Sequence, residues 1–455
     1  MIFTNRKDYQ KDLEEVVYMF AENLPYEITH FEQNDGENFY NSFEIDGQIY
    51  KFNNTQKTTS HLELKRYEKR FSKLALYKIL SKIFGVEYEW GALTGIRPVK
   101  MAYSFSDYKS DFKNVFLVSD KKINLIEKII EVQKPYYDEK GQFSGLFVGI
   151  PFCPSRCTYC SFTSRDINGI SNSNEYVQAL SKEIYASSDI LGNLRSVYIG
   201  GGTPVCLPLN ELESVLKAIS AVVKGPLEYT VEAGRPDAIN EDNLKLLKDY
   251  GVTRICVNPQ TFKEETLKII GRNHSAKSLI EKYELSKKYD FIINCDIIAG
   301  LPGESVDDFK SNLDILMDLS PENFTVHTLC LKRGSQMIEK CSRLSDLGVS
   351  KMIDDSIEIA YKNGYNPYYL YRQKYATQNL ENIGFSKPNK ECVYNIDVME
   401  ETSNNIACGT NSVSKVVIKS ENRLERYGSP KDLKTYITKL DQIISEKRKL
   451  FLDNL

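Results

Sequence analysis

Residues 146–162 read Leu146-Phe-Val-Gly-Ile-Pro-Phe-Cys-Pro-Ser-Arg-Cys-Thr-Tyr-Cys-Ser-Phe162 and hold three cysteines at C-x3-C-x2-C spacing. An apolar run leads directly into Cys153, Cys157 and Cys160, which predicts a short buried strand followed by a cysteine-bearing loop. Parallel α/β sheets and barrels build their sites at that end of the strands. Three thiolates can hold three irons of a 4Fe–4S cluster and leave the fourth iron open to a small molecule.

A zinc site or three structural thiols are the alternatives for this motif. Zinc favours four nitrogen or sulfur ligands, usually as two separated pairs. No second cysteine pair or His-x3-His follows, and none of the four histidines lies near the motif in sequence. We therefore expect Cys153, Cys157 and Cys160 to bind an iron–sulfur cluster.

Composition narrows the class of protein. The 455 residues are 41% hydrophobic and 27% charged, as is ordinary for a globular protein of two or three domains. A formal net charge of −3 argues against a general nucleic-acid binder, and no apolar run approaches the ~18 residues of a membrane span. The N-terminus lacks the apolar core of a signal peptide. Ten cysteines, three of them clustered, indicate a reducing cytoplasm rather than a disulfide scaffold.

The part of the chain before the motif predicts an α+β domain over residues 1–140. Helical periodicity covers 8–22, 62–84 and 123–132, and residues 39–52 alternate around Asp46-Gly47 as a hairpin does. A polar linker over 135–145 is the expected boundary.

From residue 146 onward, strand and helix patterns alternate. The predicted strands are 146–152, 196–199, 227–233, 254–259, 291–298 and 323–329. The predicted helices between them are 174–191, 208–223, 240–249, 263–289 and 305–319. Six such units predict an α/β fold with a partial (β/α)6 barrel over 141–340. A mixed, mainly helical C-terminal extension over 341–455, with a polar helix near 431–450, is expected to cover the substrate.

Polar residues follow several predicted strands. Gly200-Gly-Gly-Thr-Pro204 would let a backbone approach a ligand closely, although tight strand-to-helix turns also favour glycine. Glu232 ends the third strand, and its carboxylate suits a cationic ligand; an exposed helix-capping region is the alternative. Asp296 lies inside an apolar strand, where a carboxylate is costly without a partner, so we favour a functional role for it.

Two further segments carry cations. Pro367 to Tyr375 is an aromatic run that contains Arg372 and Lys374, and aromatic faces beside cations suit a flat macrocycle bearing carboxylates. A tyrosine-rich surface segment is the alternative. Arg97 and Lys100 could also reach a carboxylate, but a solvated loop would have the same sequence.

The cysteine motif with Tyr159 before its third cysteine resembles the radical S-adenosylmethionine (SAM) superfamily. The flanking Ile-Pro-Phe-Cys and Ser-Phe resemble its oxygen-independent coproporphyrinogen III oxidase group. The downstream motifs and the long N-terminal extension are similar to the HemZ-type branch, the coproporphyrinogen dehydrogenases. The resemblance covers roughly residues 90–415, and it implies a 4Fe–4S cluster and SAM as cofactors.

The resemblance also implies roles for individual residues. Residues expected to contact SAM lie on the motif, at the strand ends and in a C-terminal Gly-x-x-x-x-Ser loop: Phe147, Tyr159, Gly201, Gly202, Thr203, Glu232, Gln260, Arg272, Asp296, Thr328 and Val413. Candidates for contact with substrate carboxylates are Arg97, Lys100, Arg235, His327, Arg372 and Lys374. No side chain is assigned as a certain catalytic group, because the radical is generated on SAM.

The implied reaction is the oxygen-independent oxidative decarboxylation of coproporphyrinogen III to protoporphyrinogen IX by a 5′-deoxyadenosyl radical. The implied partners are a tetrapyrrole substrate and an electron donor such as flavodoxin or ferredoxin. A radical SAM enzyme that methylates or ring-opens haem, and a haem-trafficking chaperone, are the alternatives.

The chain departs from related groups at several positions. The HemN-type oxidases carry a tyrosine and a histidine where this chain has Phe147 and Gly149, and a fourth cysteine at the place of Phe162. The haem chaperones carry a His-Asn pair where this chain has Gln378-Asn379, which argues against the chaperone alternative.

Overall fold

The computed structural model describes residues 2–454 except 22–23, 163–164, 170–172, 226, 331–333, 340–347, 375, 377–378 and 422. Gln378, which stands where the chaperones' histidine would fall, lies outside the described residues. Two compact units divide the chain. Unit 1 comprises 1–130, 343–346 and 370–381. Unit 2 comprises 131–342, 347–369 and 382–455.

The N-terminal elements form a four-stranded sheet with two long helices and three shorter ones. The strands are β1 Ile2–Thr4, β2 Ile28–Asn34, β3 Asn38–Ile45 and β4 Gln48–Thr55. The helices are α1 Gln10–Phe20, α2 His61–Phe84, α3 Pro98–Tyr103, α4 Tyr108–Asn114 and α5 Asp120–Gln133. The sheet order is β1-β2-β3-β4, with β1 parallel to β2 and the other pairs antiparallel.

The core of unit 1 lies between the sheet and helices α1 and α2. Alternate residues of β2 and β3 are buried, as expected for a sheet with one face on a core, and Phe39 and Phe43 pack with Leu13 of α1 and Phe71 of α2. Asp46 and Gly47 both have positive φ in the β3–β4 turn. The predicted α+β character and the hairpin are therefore confirmed.

Unit 2 is built on a long mixed sheet. The strands from residue 144 onward are β5 Ser144–Ile150, β6 Phe152–Cys153, β7 Arg165–Asp166, β8 Leu194–Gly201, β9 Glu228–Gly234, β10 Arg254–Val257, β11 Ile292–Ala299, β12 Asn323–Thr328, β13 Asn366–Arg372, β14 Glu381–Ser386, β15 Asn404–Cys408, β16 Val413–Ile418 and β17 Arg423–Gly428. Strands β6 and β7 form a separate two-stranded sheet. The helices are α6 Ser173–Ala186, α7 Leu209–Val222, α8 Glu241–Asp249, α9 Glu264–Ile269, α10 Ala276–Lys287, α11 Val306–Leu319, α12 Val349–Lys362, α13 Val393–Glu400, α14 Leu433–Thr438 and α15 Leu440–Leu452.

The large sheet has the order β13-β14-β12-β11-β10-β9-β8-β5-β15-β16-β17. Strands β5 and β8 to β12 stand side by side in chain order and are parallel, which is the order of a barrel wall rather than of a doubly wound sheet. Within the described part of the chain, edge strands β13 and β17 do not pair with each other, so the wall stays open. The predicted partial barrel is confirmed.

The chain after β12 supplies strands as well as helices. Strand β15 adds to the free edge of β5 in parallel, with Asn404 beside Ser144 and Cys408 beside Val148. Strands β16 and β17 continue the sheet as antiparallel neighbours. The predicted mixed character of this region is confirmed, and the parallel pairing of β15 is a finding of the structure.

One predicted helix, 263–289, is divided into α9 and α10. Gly271 has a φ of 73°, which ends the first helix, and the Ser275 hydroxyl accepts a hydrogen bond from the Ser278 N–H at the start of the second. The break turns residues 271–274 into a loop, and this loop carries Arg272. No described helix is long and apolar enough to cross a membrane.

Candidate functional site

One half-buried side chain stands out in each of five parallel strands. Within β5, β8, β9, β11 and β12, an otherwise buried stretch contains a single more accessible position before the strand's final residues. We call this set the inner row: Phe147, Tyr198, Glu232, Asp296 and His327. Members of the row contact one another from strand to strand, so they share one face of the sheet. The sequence predicted four of them, and Tyr198 was missed.

Aromatic rings form one end of the inner row. Phe147 and Tyr198 are neighbours in register, and their ring centroids lie 6.4 Å apart at 18°. Tyr394 of α13 stacks on Tyr198 at 4.5 Å and 20°. Three nearly parallel rings thus line the β5 side of the row. Tyr198 lies two residues before the glycine turn, so strand alternation alone could have placed it; no local signal marks Tyr394.

Acidic groups form the other end of the row. The Tyr198 hydroxyl donates to Glu232 Oε1 at 2.6 Å. Burial and the nearby Asp296 carboxylate raise the pKa of Glu232 to about 7, although the Tyr198 hydrogen bond acts in the opposite direction. Glu232 therefore changes charge near neutral pH, as a group in a ligand site often does.

Asp296 has polar neighbours on its own strand and the next. The Asn294 amide donates to its Oδ1 at 2.8 Å, and His327 Nε2 lies 3.6 Å from its Oδ2. Burial opposes ionisation, but His327 and Asn294 outweigh burial and lower the pKa of Asp296 below its usual value. The partner expected for a carboxylate inside an apolar strand is thus present.

Gln260 extends the ladder between β10 and β11. Its N–H donates to Asp296 O at 2.9 Å, and its carbonyl accepts from Ile298 N–H at 3.0 Å. Its φ is 66°, in the left-handed region that few non-glycine residues adopt. The backbone of Gln260 is therefore fixed beside the acidic end of the inner row.

The cysteine loop, residues 153–160, is tied to neighbouring strand ends. The Thr203 hydroxyl donates to Cys153 Sγ at 3.6 Å, and Arg235 Nη1 lies 3.7 Å from Cys157 Sγ. Thr158 N–H donates to Ile270 O at 3.0 Å. The loop therefore has a defined conformation next to the ends of β8 and β9.

The glycine turn fits closely beneath this loop. Gly202 N–H donates to Ile150 O, and Thr203 N–H donates to Phe152 O, both at 2.7 Å. A Cβ at Gly202 would lie 2.3 Å from Phe152 O, so no other residue fits without a shift of the backbone. Gly201 has a φ of 104°, which also favours glycine. The turn and the cysteine loop form one unit.

Buried donors without partners lie next to the loop. Arg272 is 8% exposed; its Nη2 donates to the Tyr159 hydroxyl at 3.0 Å, while Nε and Nη1 have no hydrogen-bond partner. Both ring nitrogens of His274 also lack a partner, and burial together with Arg272 lowers the pKa of His274 to about 4. Buried donors without a partner are costly, so we expect them where an anionic ligand supplies the missing hydrogen bonds.

The donor set fits a 4Fe–4S cluster. Among the described side chains, no three of His, Cys, Asp or Glu converge as the ligands of a single metal ion do. Each cysteine of a cluster binds its own iron, so the three thiols need not converge as they would around a single metal ion. Cys157 is buried, and Cys153 and Cys160 are half-buried in the same loop. The unpaired nitrogens of Arg272 fit a carboxylate such as that of SAM.

Other predicted SAM contacts lie at different places in unit 2. Thr328 ends β12 and is 2% exposed, and its N–H donates to Asn382 Oδ1 at 3.0 Å. Val413 begins β16 and is 42% exposed. Neither residue belongs to the inner row.

Four predicted substrate residues belong to unit 1. Arg97 precedes α3, and Lys100 lies within it. Arg372 is 2% exposed; its guanidinium donates to Leu93 O and to Asn379 O and lies 4.8 Å from the Trp90 ring centroid. Lys374 forms an ion pair with Glu15. Arg372 therefore has partners inside unit 1.

Comparisons with known proteins identify the family. The radical SAM superfamily model matches residues 147–316. The chain is 37% identical over 388 residues to the oxygen-independent coproporphyrinogen-III oxidase-like protein HemZ of Bacillus subtilis, covering 80% of this chain and 77% of that protein. It is also 32% identical over 192 residues to the haem chaperone HemW of the same organism, covering 41% of this chain and 50% of that protein.

Solved structures support the fold. The coproporphyrinogen III oxidase HemN from Escherichia coli matches with a TM-score of 0.54 at 19% identity, over 68% of this chain and 71% of that one. The HemZ relative spans both units of the chain. This chain therefore belongs to the radical SAM superfamily and, within it, to the family of oxygen-independent coproporphyrinogen III oxidase-like proteins, with a 4Fe–4S cluster and SAM as cofactors.

Proposed function

We propose that this chain catalyses the oxygen-independent oxidative decarboxylation of coproporphyrinogen III to protoporphyrinogen IX. The observation that carries the proposal is the inner row: parallel aromatic rings and two acidic groups share one sheet face at the end that bears the cysteine loop. Aromatic faces suit a flat tetrapyrrole, and carboxylates suit the cationic amino group and sulfonium of SAM. The HemZ relationship over 80% of the chain supports the same class of reaction.

The protein's own residues would bind the cofactors and the substrate, orient them and exclude water. Cys153, Cys157 and Cys160 would hold the cluster, which together with SAM supplies the radical that removes hydrogen from a substrate propionate. Glu232 and Asp296 would hold the SAM amino end, and the unpaired nitrogens of Arg272 would hold its carboxylate. Gly202 lets the glycine turn pack directly against the cysteine loop.

The remaining predicted SAM contacts stay part of this proposal. They are Phe147, Tyr159, Gly201, Thr203, Gln260, Thr328 and Val413. The candidates for contact with the substrate carboxylates also stay part of this proposal: Arg97, Lys100, Arg235, His327, Arg372 and Lys374. The division of the chain at residues 140 and 340 also stays a prediction.

An anaerobic turnover assay tests the proposal. Reconstituted protein with SAM, a low-potential reductant and coproporphyrinogen III should give protoporphyrinogen IX, identified by chromatography and mass, with release of carbon dioxide. SAM cleavage without any change in the tetrapyrrole would rule out this substrate. Flavodoxin or ferredoxin should replace the chemical reductant. The nine cysteines that the structure describes are all free, which is consistent with the cytoplasm as the site of action.

Haem trafficking is a second candidate, because the chain is also similar to HemW. In that case the protein would bind haem stoichiometrically, and added haem would remain chemically unchanged in the presence of SAM and reductant. A methylated or ring-opened haem product would instead identify an enzyme that acts on haem. The same assay, run with haem in place of coproporphyrinogen III, separates these outcomes.

A further inference from the structure

Arg235 is a buried cation that bonds to the cysteine loop. It follows β9, it is 3% exposed, and its Nη1 donates to Ser155 Oγ at 2.9 Å and to Ser155 O at 3.1 Å. The same nitrogen lies 3.7 Å from Cys157 Sγ. Its position is therefore set by the loop that carries the cluster ligands.

Asp237 fixes the other edge of this guanidinium. Arg235 Nε donates to Asp237 Oδ1 at 2.9 Å, and Nη2 donates to Oδ2 at 2.7 Å. Such a bidentate pair fixes both distance and orientation. Because Asp237 occupies the Nε and Nη2 edge, the Nη1 end is the part of the cation that faces Cys157. The Asp237 side chain is 23% exposed against 4% for Arg235, so the anion is more screened by water than the cation.

We propose that Arg235 is a positioning residue for the cluster: it orients Cys157 and raises the reduction potential of the cluster by placing a fixed positive charge beside that thiolate. Reduction adds one negative charge to the cluster, and a buried neighbouring cation stabilises the more negative state. Hydrogen bonds to the sulfurs and local charge are among the factors that set iron–sulfur potentials. The inference concerns the cofactor alone and does not depend on which tetrapyrrole is the substrate.

Redox titration of the reconstituted cluster, without tetrapyrrole, tests the inference. Arg235→Met removes the charge and the donors at similar length. We expect its ratio of reduced to oxidised cluster at a fixed solution potential to fall about tenfold, which is 59 mV for a one-electron couple. Arg235→Lys keeps the charge but cannot bond both Asp237 and Ser155, so it should recover part of the shift.

Arg195→Met is the matched control. Arg195 lies at the start of β8 and is bound through Nε and Nη2 to Asp397, so its loss also breaks a bidentate pair in unit 2. It should load iron normally and keep the wild-type potential. A wild-type potential in iron-loaded Arg235→Met, or an equal shift in both methionine variants, would overturn the inference.

If Arg235→Met does not retain iron, the neutral polar variant Arg235→Gln tests the inference instead. Arg235→Gln can still donate to Ser155, and a lowered potential in it supports the inference while an unchanged one refutes it. Loss of iron from both neutral variants, with normal iron in Arg235→Lys and Arg195→Met, also supports it, since the variants that lose iron are those that lose the positive charge.

Discussion

The two ends of the parallel sheet in unit 2 use charge in opposite ways. At the amino end, Glu228 lies 2.8 Å from Arg254 and accepts hydrogen bonds from the Val393 and Tyr394 N–H groups. At the carboxyl end, Glu232 and Asp296 are two acids on one face, and the nearby Arg272 has unpaired donors. The same sheet thus pairs opposite charges at its amino end and gathers two acids at its carboxyl end, where we propose that SAM binds.

The largest difference between the two ends should concern iron. Cys153→Ala, Cys157→Ala or Cys160→Ala should abolish cluster binding, because a cluster held by three thiolates has no spare ligand. Cys392→Ala, which removes a buried thiol beside Glu228 at the amino end, should leave the iron content at the wild-type value. Iron and sulfide analysis after anaerobic reconstitution measures both. Zinc in place of iron in the wild-type protein would contradict the assignment of a 4Fe–4S cluster to these cysteines.

The second difference concerns stability. Arg254→Met should lower the free energy of unfolding by about 3–5 kcal/mol, because Glu228 would remain as a buried charge without its cation. SAM affinity should change little, since Arg254 is at the opposite end of its strand from Gln260. Denaturant titration measures the loss, and Glu228→Gln added to Arg254→Met should restore part of it. A double variant no more stable than Arg254→Met would contradict this account.

The third difference concerns pH. The raised pKa of Glu232 means that the group gains a proton as pH falls through about 7, and the protonated form cannot attract a cation. SAM affinity should therefore weaken about tenfold from about pH 8 to about pH 6. Equilibrium SAM binding by Glu232→Gln is the control, because its SAM affinity should be low and should change little between about pH 6 and about pH 8. An identical pH profile in wild type and variant would assign the titration to another group.

The smallest effect is expected at Phe162. This side chain is 63% exposed, and the cluster needs only the three thiolates of the cysteine loop. Phe162→Cys should keep iron content and SAM cleavage near the wild-type values, measured in the same reconstitution and cleavage assays. Loss of SAM cleavage with iron retained would show that the new thiol reaches the open iron.

Local sequence pattern was enough for much of the fold. Apolar runs such as 146–150 and 291–298 mark strands that are buried on both faces, and polar residues at their ends mark the site. Glu232 and Asp296 could be singled out because an acid at or inside an apolar strand is costly without a reason. These are features that a few neighbouring residues determine.

Features that join distant parts of the chain could not be predicted in this way. Tyr394 has no pattern that assigns it to a ring stack with Tyr198, because the contact depends on how α13 lies. Lys447 is completely buried and donates to Glu183, yet in the sequence it is one cation of a polar helix. Arg372 is a candidate substrate contact in the sequence, and its bonds to backbone carbonyls within unit 1 could not be foreseen there. Burial of a charged group depends on tertiary partners that local periodicity does not record.

The pairing of β15 with β5 has a consequence for folding. Strand β5 leads into the cysteine loop, and its two neighbours come from very different parts of the chain: β8 follows soon after it, but β15 is more than half the chain length away. Because synthesis proceeds from the N-terminus, the backbone edge of β5 has no β15 partner until residues 404–408 have left the ribosome. During that interval the strand that leads into the cysteine loop is an open sheet edge, the kind of surface that pairs with other chains. Protection of this edge therefore depends on residues 404–408, which are synthesised long after the cysteine motif.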